Sequence, residues 1–300
     1  MSSTFFTASP QWRWLIIGYF FLGGLAAGSY SLATLMEFFG EREDRPLVRL
    51  GYLIAFPTVC LCGLLLTADL GRPERFWHML VQANTFRPMV KAYSPMSLGA
   101  WALMLFSGCA FLSFVAVLGE GGRSAWPVLA RLRRWLGPPA ALGRLVGGIG
   151  ALLGLYVAGY TGVLLAVTNR PIWADTTFLG LTFLISAMST SAALLILLGS
   201  WEGLSWDRLR ALESFDRSAL ILEALAIAAV IASLGRLATV WLNGWGVLLV
   251  GMMLGGIALP LLLESWSGAR ASRGRTASAL VLVGGLILRA VIVFSSDGLP

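Results

Sequence analysis

A run of about 20 predominantly apolar residues recurs eight times along this chain, the length an α-helix needs to cross a bilayer. Residues 50–66, LGYLIAFPTVCLCGLLL, carry no charge at all. Inside a bilayer every backbone N–H and C=O must be satisfied within the protein, which leaves helices or a closed β-barrel. A barrel needs alternating segments of about ten residues, and uninterrupted runs such as LVGGIGALLGLYVAGYTGVLLAV exclude it. Composition agrees: 57 % of residues are hydrophobic, 12 % are charged and the mean hydropathy is +0.80. The fold class expected is an all-α polytopic membrane protein with eight transmembrane helices near 12–39, 47–69, 95–118, 141–168, 177–201, 215–236, 246–266 and 276–295. The stretch after Met1 lacks a signal peptide's short apolar core and cleavage site, so the first span is expected to stay in the mature protein.

The net charge of +7 follows topology and points to the lipid bilayer as the partner surface, with no nucleic acid. Fourteen of the 22 Arg and Lys residues fall in the connections 1–2, 3–4, 5–6 and 7–8. The positive-inside rule makes those connections cytoplasmic and puts both termini outside. The connection 119–140, rich in Gly, Pro and Arg, reads as a cytoplasmic linker with a short interfacial helix. The other long connection, 70–94, sits on the charge-poor side and is itself charged.

Faint internal repetition divides the chain. FLGGLAAGS in helix 1 resembles FLISAMSTS in helix 5, Leu70-Gly71-Arg72 returns as Leu234-Gly235-Arg236, and LVGG occurs at 145–148 and 282–285. The order is preserved, as in a parallel repeat of four helices. The organisation expected is residues 1–140 holding helices 1–3 and the linker, 141–176 completing a first four-helix bundle, and 177–300 forming a second. Small residues at helical spacing, such as Gly24 with Gly28 and Gly147 with Ala151, permit close helix approach. Ser186, Ser189, Thr190 and Ser191 read as interhelical hydrogen-bonding residues.

Cys60, Cys62 and Cys109 all fall in expected helices and read as small buried apolar residues. Three Cys cannot supply an iron–sulfur cluster's usual four thiolates, and one His cannot ligate a pair of b-type haems. No metal site is expected, and electron transfer would need a cofactor elsewhere.

Ionisable chemistry concentrates in TADLGRPERFWHML, residues 67–80, which holds Asp69, Arg72, Glu74, Arg75 and the chain's only histidine, His78. Asp69 ends helix 2, where it reads either as a helix-end ion pair with Arg72 and Arg75 or as a functional acid. His78 is the side chain whose ordinary pKa lies nearest neutrality. Phe76 and Trp77 fit an interfacial aromatic belt.

Taken together, DLGRPERFWH and the following SPMSLGAWAL resemble the signature of the NrfD/PsrC family, the quinone-interacting membrane subunits of polysulfide-reductase-like complexes. GYTGVLLAVTNRPIW with LGLTFLISAMSTSAALL is similar to that family's fourth and fifth spans, and GYFFLGGLAAGS to its first. Helices 6 to 8 resemble it mainly in hydropathy. The resemblance implies two four-helix bundles in a bacterial or archaeal cytoplasmic membrane and a site for quinone or quinol (menaquinone or ubiquinone) near the outer side. It also implies a docked ferredoxin-like iron–sulfur subunit with a molybdopterin or multihaem cytochrome catalytic subunit, and no haem or iron–sulfur cluster in this chain. On this reading Gly24, Gly28 and Ser29 admit the ring, Asp69 exchanges protons with a quinone oxygen, Arg72 holds the charge of Asp69, and His78 is a second proton carrier. Tyr160 matches the family's tyrosine that reaches the quinone oxygen, and Asn169 and Arg170 help seat the partner. Some relatives have a protonatable residue in the first span, where this chain offers Ser29 and Tyr30.

Glu223 and Arg289 lie within helices 6 and 8 and read either as an inward proton path or as a Glu–Arg pair tying the second half together. Glu264 reads as interfacial. Two other function classes share much of this pattern. A secondary transporter would share the intramembrane charges and repeats, with Pro57 and Pro260 as candidate kinks. A structural anchor would need the loop surface without quinone chemistry.

Overall fold

A computed structural model describes residues 12–121, 134–137, 140–265 and 270–296. Eight membrane-length apolar helices occur among them. They are α1 (Trp14–Phe39), α2 (Arg45–Asp69), α3 (Pro95–Leu118), α4 (Ala141–Ala166), α5 (Leu179–Trp201), α6 (Trp206–Leu234), α7 and α8 (Arg270–Ser295). In α7 two α-helical parts, Gly244–Met252 and Leu259–Ser265, flank a π-helical turn, Met253–Ala258. The interfacial helix expected within 119–140 falls mainly outside the described residues.

Local chemistry sets the boundaries. Pro46 and Pro95 each stand in the first turn of their helix, where the missing N–H costs nothing. Ser94 caps α3 by accepting from the Ser97 N–H at 3.4 Å. The π-helical turn of α7 immediately precedes Pro260, whose ring cannot donate to the carbonyl four residues back. Around Pro57, by contrast, α2 runs on as α-helix. The start of α6 differs from the expected one: it begins at Trp206, not near 215. Residues 206–214 are too polar to register as a membrane span, yet they form an amphipathic extension with Leu209 and Leu212 buried and Asp207 and Arg210 outward.

α1 is the most buried span and packs on α2, α4 and α5. α3 closes against α2 and α4, while α5 carries α6 and α8 on its other side and α7 rests on α8. The two segments that resemble each other in sequence meet in space. A Cβ at Gly24 would lie 3.0 Å from the Ala187 Cβ, and one at Gly28 would lie 2.7 Å from the Ala187 carbonyl oxygen. Ser191 Oγ donates across the same seam to the Leu25 carbonyl at 3.2 Å. Each Leu-Gly-Arg repeat likewise leads into a seven-residue 3-10 helix: Pro73–Met79 begins just after the first, and Gly235–Trp241 begins within the second.

One expectation about a single residue changes. Cys62 is buried and Cys109 half-buried, but Cys60 is exposed on the α2 surface; lipid-facing positions are as apolar as the interior, so hydropathy does not separate them. Glu264, near the end of α7 and half-buried, has a carboxylate oxygen 3.5 Å from Arg217 Nε. At the far end of α1, Arg45 pairs with Glu37 at 3.0 Å and with Glu120, joining α1, α2 and α3.

Candidate functional site: a cavity among the first four helices

A cavity of about 390 Å³ lies at the end of α1–α4 that carries the 70–94 connection. α1 and α4 form its back wall with Ile16, Tyr19, Phe20, Tyr160 and Leu164. α2 contributes a stripe of Val59, Gly63, Leu66 and Thr67 at helical spacing, and Asp69 stands at its rim. α3 faces it with Met96, Gly99, Leu103, Met104 and Ser107. Phe76, Met79 and Leu80 reach over the mouth from the 70–94 connection.

That connection is fastened as a cover. Its 3-10 helix Pro73–Met79 leads into a turn closed by the Val81–Pro88 bridge. Trp101 Nε1 and Ser97 Oγ of α3 both donate to the Met89 carbonyl, at 3.1 and 3.2 Å. Trp77 stacks on Phe86 with ring centroids 6.3 Å apart.

The polar groups in this largely apolar space are few. Tyr160 and Tyr19 are 6 % and 3 % exposed, and neither hydroxyl has a hydrogen-bond partner among the described residues. Both residues line the cavity, so their hydroxyls are available to a ligand with acceptor oxygens. Thr67 and Ser107 instead donate to carbonyls of their own helices, each at 2.7 Å. Tyr160 reaches its position because α3 offers Gly99 opposite it, where a Cβ would overlap the phenol ring.

The cavity unites some residues singled out in the sequence and leaves out others. Asp69 and Tyr160 both line it. Asp69 is exposed, and no ion pair within 4.0 Å joins it to Arg72 or Arg75, so the structure does not make the expected Arg72 contact. Arg72 is exposed beyond the helix end, and His78 packs edge-on to Trp77 with centroids 4.0 Å apart; neither lines the cavity. Gly24, Gly28 and Ser29 lie outside it too. The first two lie against α5, and Ser29 Oγ is buried with no hydrogen-bond partner. Arg170 does not stand free towards a partner: its guanidinium lies 5.5 Å from the centre of the buried Trp173 ring, and Trp173 Nε1 donates to the Ile292 carbonyl at 2.8 Å. Asn169 is exposed beside it.

In the second half, Arg289 is 1 % exposed and donates to Gly285 O at 2.7 Å, Ser186 Oγ at 3.1 Å and Phe20 O at 3.3 Å. The faces of Phe21 and Phe183 flank its guanidinium at 5.6 and 5.4 Å. An arginine at a helix centre costs about 2.5–3.5 kcal/mol to place in lipid, and charge-assisted hydrogen bonds of about 1.5–3 kcal/mol each offset that. Glu223 is 3 % exposed and its Oε1 has no hydrogen-bond partner. No ion pair within 4.0 Å joins it to Arg289 among the described residues. Asp216, which sequence reading passed over, is equally buried and accepts from Ser189 Oγ at 2.6 Å.

Tyr19 is the main residue that sequence reading missed. It is the one phenol in the run GYFFLGG, and only its position opposite Tyr160 distinguishes it from belt or core aromatics. Among the described residues no group of three or more His, Cys, Asp or Glu is arranged to hold a metal.

Comparison with known proteins gives a coherent set. Residues 2–297 match the family described as Polysulphide reductase, NrfD. One chain of the polysulfide reductase of Wolinella succinogenes is 30 % identical over 63 % of this protein, a match spanning 58 % of that relative's length. Protein NrfD of Escherichia coli is 25 % identical over 99 % of this protein and 98 % of its own length. One subunit of the selenate reductase of Mesobacillus selenatarsenatis is 35 % identical over 27 % of this protein and 19 % of its own length.

Proposed function

The chain belongs to the NrfD polysulphide reductase family of integral membrane proteins, and from that premise we propose that it binds a quinone or quinol in the cavity among α1–α4. The single observation carrying this reading is the pair of unengaged hydroxyls, Tyr19 and Tyr160, inside an apolar cavity of about 390 Å³. That volume falls within the range of small-molecule sites, which pair an apolar lining with a few placed polar groups.

A bound quinone or quinol supplies or takes up two electrons together with two protons. The chain's own residues do the rest. Tyr160 and Tyr19 direct their hydroxyls at a head-group oxygen and fix the ring's orientation. Asp69, at the rim and open to water, holds the proton exchanged there, within reach of both cavity and solvent. Phe76, Met79 and Leu80 exclude bulk water from the ring. Ligand-poor in Cys and His, the chain leaves the electrons to a neighbouring cofactor. Its relatives are named as components of a polysulfide reductase and a selenate reductase, which supports membership of a respiratory reductase complex. We place an iron–sulfur subunit, with a molybdopterin or multihaem catalytic subunit behind it, over the 70–94 connection. The Arg-rich connections at the opposite face support, through the positive-inside rule, an outer-side position for that connection in a cytoplasmic membrane.

Titration of the purified chain in lipid nanodiscs with menaquinone and ubiquinone tests the reading. Saturable binding of one of them, weakened by Tyr160→Phe, is expected. Absence of binding to the unsubstituted protein, with the complex's activity insensitive to quinone-site inhibitors, would leave a structural anchor as the better account.

A further inference from the structure

A cavity of about 390 Å³ accommodates a ring of small-molecule size but not a long isoprenoid tail, so a membrane quinone held there must extend its tail somewhere. Resting on the reading above, we propose that the tail leaves sideways into the bilayer through a slit between α2 and α3, and that Gly63 and Met104 form the two sides of this portal.

The packing of the first four helices points there. Of the four pairs of adjacent helices around the cavity, α1 with α2, α1 with α4 and α3 with α4 are close-packed, whereas α2 and α3 touch less. At the end of the slit away from the 70–94 connection the two helices are sealed by aromatic rings: Phe56 meets Phe111 and Phe114 at centroid distances of 5.1 and 5.2 Å. From Val59 to Asp69 no such seal recurs, a length of about 15 Å at the helical rise. Along it Gly63 lines the cavity, yet a Cβ built there meets nothing within 4 Å. On α3, Met104 both lines the cavity and is 39 % exposed, and Met96 is 52 % exposed in the same double position. A residue that faces cavity and surroundings at once marks an opening. Methionine, unbranched and flexible, is suited to yield to a passing chain. The opening faces the bilayer because α2 and α3 are themselves membrane-length apolar helices.

The experiment compares Gly63→Phe, Met104→Trp and the unsubstituted full chain in nanodiscs. Each is titrated with a long-tailed menaquinone and with tail-less dimethylnaphthoquinone. Gly63 has room for a side chain and Phe is a better helix former than Gly, so folded protein is expected. Both variants should lower the ratio of long-tailed to tail-less affinity by roughly tenfold, equivalent to about 1.4 kcal/mol of lost tail accommodation. Gly251→Phe on α7, where a Cβ also meets open space, should leave the ratio as in the unsubstituted chain. An unchanged ratio in both portal variants overturns the portal while leaving the quinone site standing. Equal loss of both ligands also overturns it, because Gly63 would then face the ring. If neither ligand binds the unsubstituted chain, the quinone reading falls and the portal with it.

Discussion

The phenol of Tyr160 in α4 occupies the space that a side chain at Gly99 in α3 would fill, with its Cζ, Cε1 and hydroxyl all overlapping a Cβ built there. Gly99→Ala therefore tests the hydroxyl's placement without touching the tyrosine. Alanine is favoured over glycine in a helix by about 1 kcal/mol, so the protein should still fold. Its quinone affinity should fall further than in Tyr160→Phe, since the ring is displaced and not merely trimmed. Equal affinity in Gly99→Ala and the unsubstituted chain, read by titration, would mean that the Tyr160 hydroxyl is no ligand.

Tyr160→Phe and Tyr19→Phe should each weaken quinone binding by about 0.5–1.5 kcal/mol, roughly two- to tenfold. Neither should lower the melting temperature, because neither hydroxyl bonds to a described protein group. Thermal unfolding of both variants beside the binding curves checks this. A clear drop in melting temperature would reveal a structural partner and remove the argument from the unengaged phenol.

Asp69→Asn should leave assembly intact and reduce quinol-linked turnover of the complex by about a hundredfold or more, the scale of a lost general acid or base. Arg72→Ala should change turnover little, as no ion pair links Arg72 to Asp69. If the Arg72 variant loses as much activity as the Asp69 variant, the two act as a unit that the structure does not display.

Gly28→Val should reduce the amount of folded protein while the quinone bound per folded molecule stays constant. A Cβ at Gly28 would lie 2.7 Å from the Ala187 carbonyl oxygen, and Val adds two further methyl groups to the α1–α5 seam. Selective loss of binding in well-folded protein would return Gly28 to the ligand site.

Arg289→Ala should destabilise the protein by about 3 kcal/mol or more, since it removes several buried hydrogen bonds from a charged group, each worth about 1.5–3 kcal/mol. Unfolding in detergent or nanodiscs measures this. An unaltered melting temperature together with slowed proton uptake would instead make Arg289 part of a proton path.

Much of the architecture was written in hydropathy. The spans near 95–118 and 177–201 agree with α3 and α5 almost residue for residue, because a segment that must satisfy its backbone in lipid has few alternatives to a helix. The same signal failed at α6, where residues 206–214 are helical but polar and lie outside any apolar window. It also could not separate Cys60 from Cys62, one facing outward and one inward on the same helix.

By itself the sequence determined eight apolar crossings, their order, the charged 70–94 connection after the second and the motifs that point to the NrfD family. Those properties are local: each depends on a stretch of chain and on its contrast with the bilayer. Only the tertiary structure decided which small residues serve packing and which serve the cavity. Gly24 and Gly28 are spaced like ligand-admitting glycines yet lie against α5, while Gly99 and Gly63 open space for Tyr160 and the slit. It likewise drew Tyr19 and Tyr160, 141 positions apart in the sequence, into one cavity. The physical reason is that the rotation of each helix about its axis is set by contacts with several neighbours at once, and no single segment's hydropathy encodes that.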